Sequence, residues 1–178
     1  LALREVAHPA IRNRGTLGGS LCLGDPAAEL PACAVATGAT LVLASAAGER
    51  RVVADRFFHG LYATARRPDE LLLRVEIPRA PGHVPWFGEV ARRRGDYAMA
   101  GLALVRHAGG VRLSFLGVEA APRRLPAVEA ALAAGADAAA ILPGLLEPLD
   151  SPEAPAAYRL HLAASLLRRA TEAARAAA

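Results

Sequence analysis

Three prolines and a glycine fall within residues 78–85 (PRAPGHVP), and this break constrains the fold more than any other feature of the chain. Proline fixes φ and removes a backbone donor, so neither a helix nor a central strand passes through such a run. The 178 residues therefore divide into two units, 1–80 and 84–178, each long enough to bury a core.

The hydrophobic pattern differs on the two sides. Before the break, DPAAELPACAVATG reads as a short helix from Pro26 to Gly38, with Asp25 at the N-cap, Pro26 at its first position and Gly38 closing it. TLVLAS (40–45) and RRVVA (50–54) flank an AAGE turn and read as a hairpin. Residues 55–63 read as a helical turn, and DELLLRVEIP (69–78) as a strand alternating Leu71, Leu73, Val75 and Ile77. Beyond the break, FGEVARR, MAGLALVRH and VRLSFLGVE read as three strands within 86–119, the last two joined at Ala108, Gly109 and Gly110. Residues 126–178 then turn helical: LPAVEAALAAG ends at Gly135, DAAAILPGLLEPL is interrupted at Pro143, and a final helix runs from about Pro155 to Ala177. Strands followed by helices predict an α+β fold with an antiparallel sheet.

Composition removes several functional classes. Hydrophobic residues make up 53% and charged residues 21%, as in a globular protein. All 21 basic residues are arginines, scattered in pairs and one triplet (Arg92, Arg93, Arg94) with few aromatic side chains between them. A nucleic-acid surface would concentrate both, so the net charge of +4 points to no nucleic-acid partner. No apolar run approaches the roughly 20 residues of a membrane span, and no export signal opens the chain, which predicts a cytoplasmic location. Cys22 and Cys33 fit neither a redox pair nor an iron–sulfur grouping, and the five histidines lack metal-ligand spacing, so no metal site is expected.

The chemistry concentrates in RNRGTLGGSLCLGDPAAELPA, residues 12–32. Gly15, Gly18 and Gly19 form a turn that lets a ligand approach bare backbone, and Thr16 and Ser20 offer hydroxyl donors. Asp25 and Glu29 could accept hydrogen bonds from ribose or ribityl hydroxyls. The same residues equally describe a glycine turn before a capped helix, with Asp25 used by the cap and Glu29 favourable to the helix dipole. GTLGGS is not a dinucleotide fingerprint of the βαβ kind, since no such unit surrounds it.

The full string resembles the signature of the FAD-binding medium subunit of the xanthine dehydrogenase and carbon monoxide dehydrogenase family, where RxRGTIGGNxxxADPAxDLP is typical. The resemblance continues in DELLLRVEIP, RRRGDYAMAGLAL and YRLHLAASLLRRA, in the family's order, and so spans nearly the whole chain. It implies the second lobe of a vanillyl-alcohol-oxidase-type FAD domain, followed by a domain of a three-stranded antiparallel sheet and a helix bundle. The first lobe, with its AGGxS loop, would precede Leu1, so the chain reads as the C-terminal portion of a longer protein and would hold FAD weakly alone.

Position by position, the resemblance implies that Thr16, Leu17, Gly18, Gly19 and Ser20 form the second FAD loop, with Ser20 where asparagine or aspartate is frequent. Glu29 matches a cofactor-binding aspartate and Asp25 the aspartate of the family's ADPA string. Leu72 matches an aliphatic residue near the flavin, and Tyr97 a loop residue beside the isoalloxazine ring. Read from spacing alone, Leu72 is a strand core residue and Tyr97 a surface aromatic. Near Gly88 and Glu89, where some relatives carry a cofactor-contacting lysine, this chain departs from the family.

The implied activity is electron transfer without a catalytic side chain, as an oxidoreductase component inactive alone. A small 2Fe–2S subunit would pass electrons to FAD, and a large subunit would carry the molybdopterin and select the substrate. Two other readings stay open: a stand-alone FAD-dependent oxidase, and a non-catalytic interaction or decayed domain that no longer holds FAD.

Overall fold

The computed structural model describes residues 1–79 and 82–176. Among these residues five α-helices and eight strands follow in the order α1 (Pro9–Arg12), α2 (Leu17–Leu23), α3 (Glu29–Thr37), β1 (Thr40–Ser45), β2 (Gly48–Val53), β3 (Phe58–Gly60), β4 (Ala63–Thr64), β5 (Leu71–Glu76), β6 (Val84–Val90), β7 (Ala100–His107), β8 (Gly110–Leu116), α4 (Pro126–Ala133) and α5 (Ala156–Ala176). The fold is α+β, with an antiparallel sheet β2-β1-β5, a small β3-β4 ribbon and an antiparallel sheet β6-β7-β8.

Helix α3 lies between the two large sheets, which explains its composition. A helix buried on more than one face must be apolar nearly all round, and here Pro31, Ala32, Ala34, Val35 and Ala36 are all buried. Ala34 and Val35 join Leu21, Leu41, Leu43 and Phe57 in the first core. Ala32 and Ala36, one turn apart, pack against Ala103, Val105 and Leu116 of the second sheet and Ala98 just ahead of it. Pro31 is tolerated because first-turn N–H groups have no helical acceptor to lose. On the far side of the second sheet, α4 and α5 close a core containing Leu102, Leu113, Phe115, Val128, Leu166 and Leu167. Glu129 of α4 ties that layer down, its Oε1 accepting from Leu113 N–H and from Arg124 Nε, both at 3.0 Å.

Several local expectations are corrected. The helix expected from Pro26 begins at Glu29 with Ala28 at its N-cap, although Gly38 (φ +69°) does close it. Asp25 accepts instead from Ala27 N–H at 2.9 Å, an aspartate turn that competes with helix capping. The glycine turn at Gly18 and Gly19 is helical, lying inside α2. β2 starts at Gly48, so the turn is two residues, Ala46 and Ala47. The turn expected over 55–63 is a short 3-10 turn, Ala54–Arg56, followed by the β3-β4 ribbon. No helix forms over 137–149 except the 3-10 turn Leu142–Gly144 at Pro143. Residue 177 of the expected final helix lies outside the described residues.

The phase of β5 is reversed in its first half, before Val75, which faces the core as expected. Leu71 and Leu73 are exposed, at 77% and 56%, and Ile77 is exposed too, whereas Leu72 and Val75 pack on the core. A β-bulge is responsible: Val42 pairs with Arg74 but its neighbour Leu43 pairs with Leu72, so Leu73 is skipped and the inward face shifts by one.

Candidate functional site

Thr16 ends the extended approach to α2 and caps it, its Oγ1 accepting from Gly19 N–H at 2.9 Å. Ser, Thr, Asp and Asn are favoured there because the side chain replaces a missing helical acceptor. Thr16, Leu17 and Gly19 are exposed, and Gly18 and Ser20 half-buried. Gly18 faces β5: a Cβ there would lie 3.9 Å from Leu72 Cδ2. Gly18 and Leu72, far apart in sequence, thus come close together, and exposed Leu71 and Leu73 flank Leu72 on β5.

After α2, the chain turns through Asp25 into α3. Asp25 is 6% exposed, with one carboxylate oxygen used by the turn. Glu29 stands at the start of α3, half-buried. Burial pushes its carboxyl above the usual range, with repulsion from Asp25 and Glu5 adding to it and a hydrogen bond from its own backbone N–H opposing. The thiols are free. Burial raises Cys22, beside Leu72, and pushes Cys33 up to about 12, which leaves both protonated at neutral pH.

Tyr97, 75% exposed, projects from the loop 91–99, whose ends are tied by Met99 N–H donating to Val90 O at 2.9 Å. Arg92, Arg93 and Arg94 on that loop are exposed, a solvated turn. The loop leans on the segment leading into α1: a Cβ at Gly95 would fall 2.8 Å from His8 Cε1. Its other end meets the Asp25 turn through Gly117, whose N–H donates to Pro26 O at 2.7 Å. Glu89 of β6 is half-buried with its Oε2 unbonded.

These residues fit one side of a dinucleotide. They present bare glycine backbone, the Thr16 and Ser20 hydroxyls, a carboxylate at Glu29 and the exposed side chains of Leu17 and Tyr97, while Leu71 and Leu73 are exposed on the face of β5 opposite to Leu72. Among the described residues no group of three or more His, Cys, Asp or Glu could hold a metal, and no helix is long and apolar enough to cross a membrane.

Residues 1–80 match the family described as the FAD binding domain in molybdopterin dehydrogenase, and residues 86–174 the CO dehydrogenase flavoprotein C-terminal domain. The chain belongs to the FAD-binding medium-subunit family of the molybdenum hydroxylases. The nicotine 6-hydroxylase medium subunit of Paenarthrobacter nicotinovorans is 45% identical over 62% of this chain and 39% of its own length. The carbon monoxide dehydrogenase medium chain of Hydrogenophaga pseudoflava is 31% identical over 97% of this chain and 65% of its own. Among solved structures, reconstituted CO dehydrogenase from Oligotropha carboxidovorans superposes with a TM-score of 0.88 at 34% identity, covering 98% of this chain and 65% of that one. Quinoline 2-oxidoreductase from Pseudomonas putida 86 gives 0.85 at 37%, covering 94% and 63%. The chain thus spans from about two fifths to about two thirds of the length of these medium-subunit relatives. Both relatives are subunits of oxidoreductases.

Arg159 and Gly117 escaped the sequence reading. Arg159 sits in the YRLHL string and Gly117 just after a strand, but neither position carries a local signal of what it touches. An arginine inside an apolar helical stretch was the one available hint.

Proposed function

We propose that the chain is the FAD-binding electron-transfer subunit of a molybdenum hydroxylase, acting in the cytoplasm with a large molybdenum-cofactor subunit and a small 2Fe–2S subunit, and inactive without them. The observation that carries this reading is the closeness of Gly18 on α2 to Leu72 on β5, because it brings two separately expected site segments together. FAD, when bound, accepts electrons singly and delivers them in pairs to an external acceptor.

The chain's own residues bind and orient. The backbone at Leu17, Gly18 and Gly19 admits close approach, and the Thr16 cap holds α2 in register beneath it. Glu29, partly withdrawn from water, makes a stronger hydrogen bond to a cofactor hydroxyl than a fully solvated carboxylate would. Leu72 supports the surface from below, and Tyr97 covers it from the other domain, limiting water. No side chain is required to exchange a proton with substrate.

In the assembled complex, Glu29→Gln keeps the side-chain shape while removing the charge, so FAD affinity falls by about tenfold or more. Equilibrium flavin-fluorescence titration measures this. Unchanged affinity in Glu29→Gln and Thr16→Ala, or a complex with no flavin at all, overturns the assignment.

A further inference from the structure

The two walls of the proposed site, the Asp25–Glu29 turn and the Tyr97 loop, meet at a junction around Gly117. Gly117 has φ +69°, a conformation that L side chains rarely adopt. A Cβ there would fall 2.4 Å from Ala98 O, so the backbone next to Tyr97 lies directly on this glycine. Its N–H donates to Pro26 O at 2.7 Å, which ties in the Asp25 turn. Its carbonyl accepts from Arg159 Nη1, and the same nitrogen donates to Met99 O at 2.7 Å.

Arg159 uses the rest of its fork on α5's own approach, Nε donating to Ala154 O at 3.0 Å and Nη2 to Ser151 Oγ at 3.2 Å. All four acceptors are neutral, and no carboxylate pairs with Arg159 among the described residues. A guanidinium half-withdrawn from water without a counter-ion is costly unless its donors are satisfied. Burial accordingly lowers its pKa, with Glu153 and Asp150 opposing. An ion pair for general stability would have needed only a carboxylate; this arginine is instead spread over Met99 O at the end of the Tyr97 loop, Gly117 O just after β8, and Ala154 O and Ser151 Oγ ahead of α5.

We propose that Arg159, through Gly117, is a positioning residue that locks the Tyr97 loop to the Asp25–Glu29 turn, so that the two walls of the site keep one relative placement. This rests on the flavin assignment only for its consequence; the junction itself is a property of the chain. Lysine carries the charge but presents one point instead of a planar fork, and cannot reach four separated acceptors.

The test is hydrogen exchange on the full chain, comparing Arg159→Lys with Val128→Ala, a core variant of α4 in the same domain. Arg159→Lys is expected to speed exchange at Met99 and Gly117 and also at Ala27 and Ala28 across the junction by about 5- to 30-fold beyond the change at β1 and β2, which follows overall stability alone. Val128→Ala, compared at equal loss of overall stability, gives Ala27 and Ala28 no change beyond that of β1 and β2. Faster exchange confined to the Tyr97 side, or an equal effect from Val128→Ala, overturns the proposal. A second readout, visible circular dichroism of FAD in the complex, shifts in Arg159→Lys and not in Val128→Ala; an unshifted signal overturns the positioning role. Absence of bound FAD in the unaltered complex would instead refute the flavin assignment, leaving the exchange result to judge the junction.

Discussion

A carboxylate with one oxygen buried and unbonded, as at Glu89, is poorly stabilised in its charged form. Burial is the main reason its pKa rises from 4.5 to about 7, and Glu29 and Glu5 add repulsion. Arg4 and Arg169 line the same cleft but neither forms an ion pair with it. Because the folded pKa lies above the unfolded one, the protonated group contributes stability that is fully present below about pH 4.5 and lost as pH rises through about 7. Glu89→Gln should therefore match the unaltered chain in acid and exceed it in stability at about pH 8. Urea midpoints across that range measure the difference, and two parallel curves would refute it. Glu70 shows the opposite sign: the Arg50 guanidinium, 2.5 Å from its Oε1, holds its pKa down to about 2.

At the scale of elements, the β5 bulge makes a test that the alternating pattern alone would answer wrongly. If Leu71 and Leu73 faced the core, truncating them would be costly; with Leu72 inward instead, the order reverses. Leu72→Ala is expected to lose about 1–2 kcal/mol, since the side chain is only half-buried, whereas Leu71→Ala and Leu73→Ala stay within about 0.5 kcal/mol. Chemical denaturation of the three variants decides it. The strands themselves were legible because β1, β7 and β8 carry runs of branched and aliphatic residues between clear turn residues, and α5 because its period persists over many turns. The bulge was not, because all of Leu71, Leu72 and Leu73 are leucine and any phase fits. The start of α3 was misplaced for a related reason: Asp25 is as good a residue for an aspartate turn as for a cap, and only Ala27 N–H decides which. The site shows the same division. Its glycines and hydroxyls could be named from the motif, but the Gly18–Leu72 contact and the Gly117 junction depend on long-range packing.

For the whole molecule, the question is whether the halves on either side of the proline break behave as one unit. α3 belongs to the first half and yet buries Ala32 and Ala36 against the second sheet. Arg112 of β8 reaches across in the other direction, its Nη2 donating to Val35 O at 3.1 Å, at the C-terminal end of α3, and to Asp55 Oδ1 at 2.8 Å. A cation near helix carbonyls left without donors is favourably placed. Its guanidinium also lies over Gly38, where a Cβ would come within 3.2 Å of Arg112 Cζ. With an apolar seam, a charged clamp and the Gly117–Pro26 bond all crossing the same boundary, neither half can open without exposing the other's buried surface. One cooperative transition should result. The single tryptophan, Trp86, packs on the core of the second half and reports only that half, while far-ultraviolet circular dichroism reports both. The two signals should therefore coincide through urea unfolding. Arg112→Ala removes two hydrogen bonds from a charged donor and should lower stability by about 1–3 kcal/mol, moving both signals together. If the tryptophan transition stays in place while the circular dichroism splits into two steps, the halves are independent units joined by a linker, and the shared placement of their site residues would have to come from the bound partners.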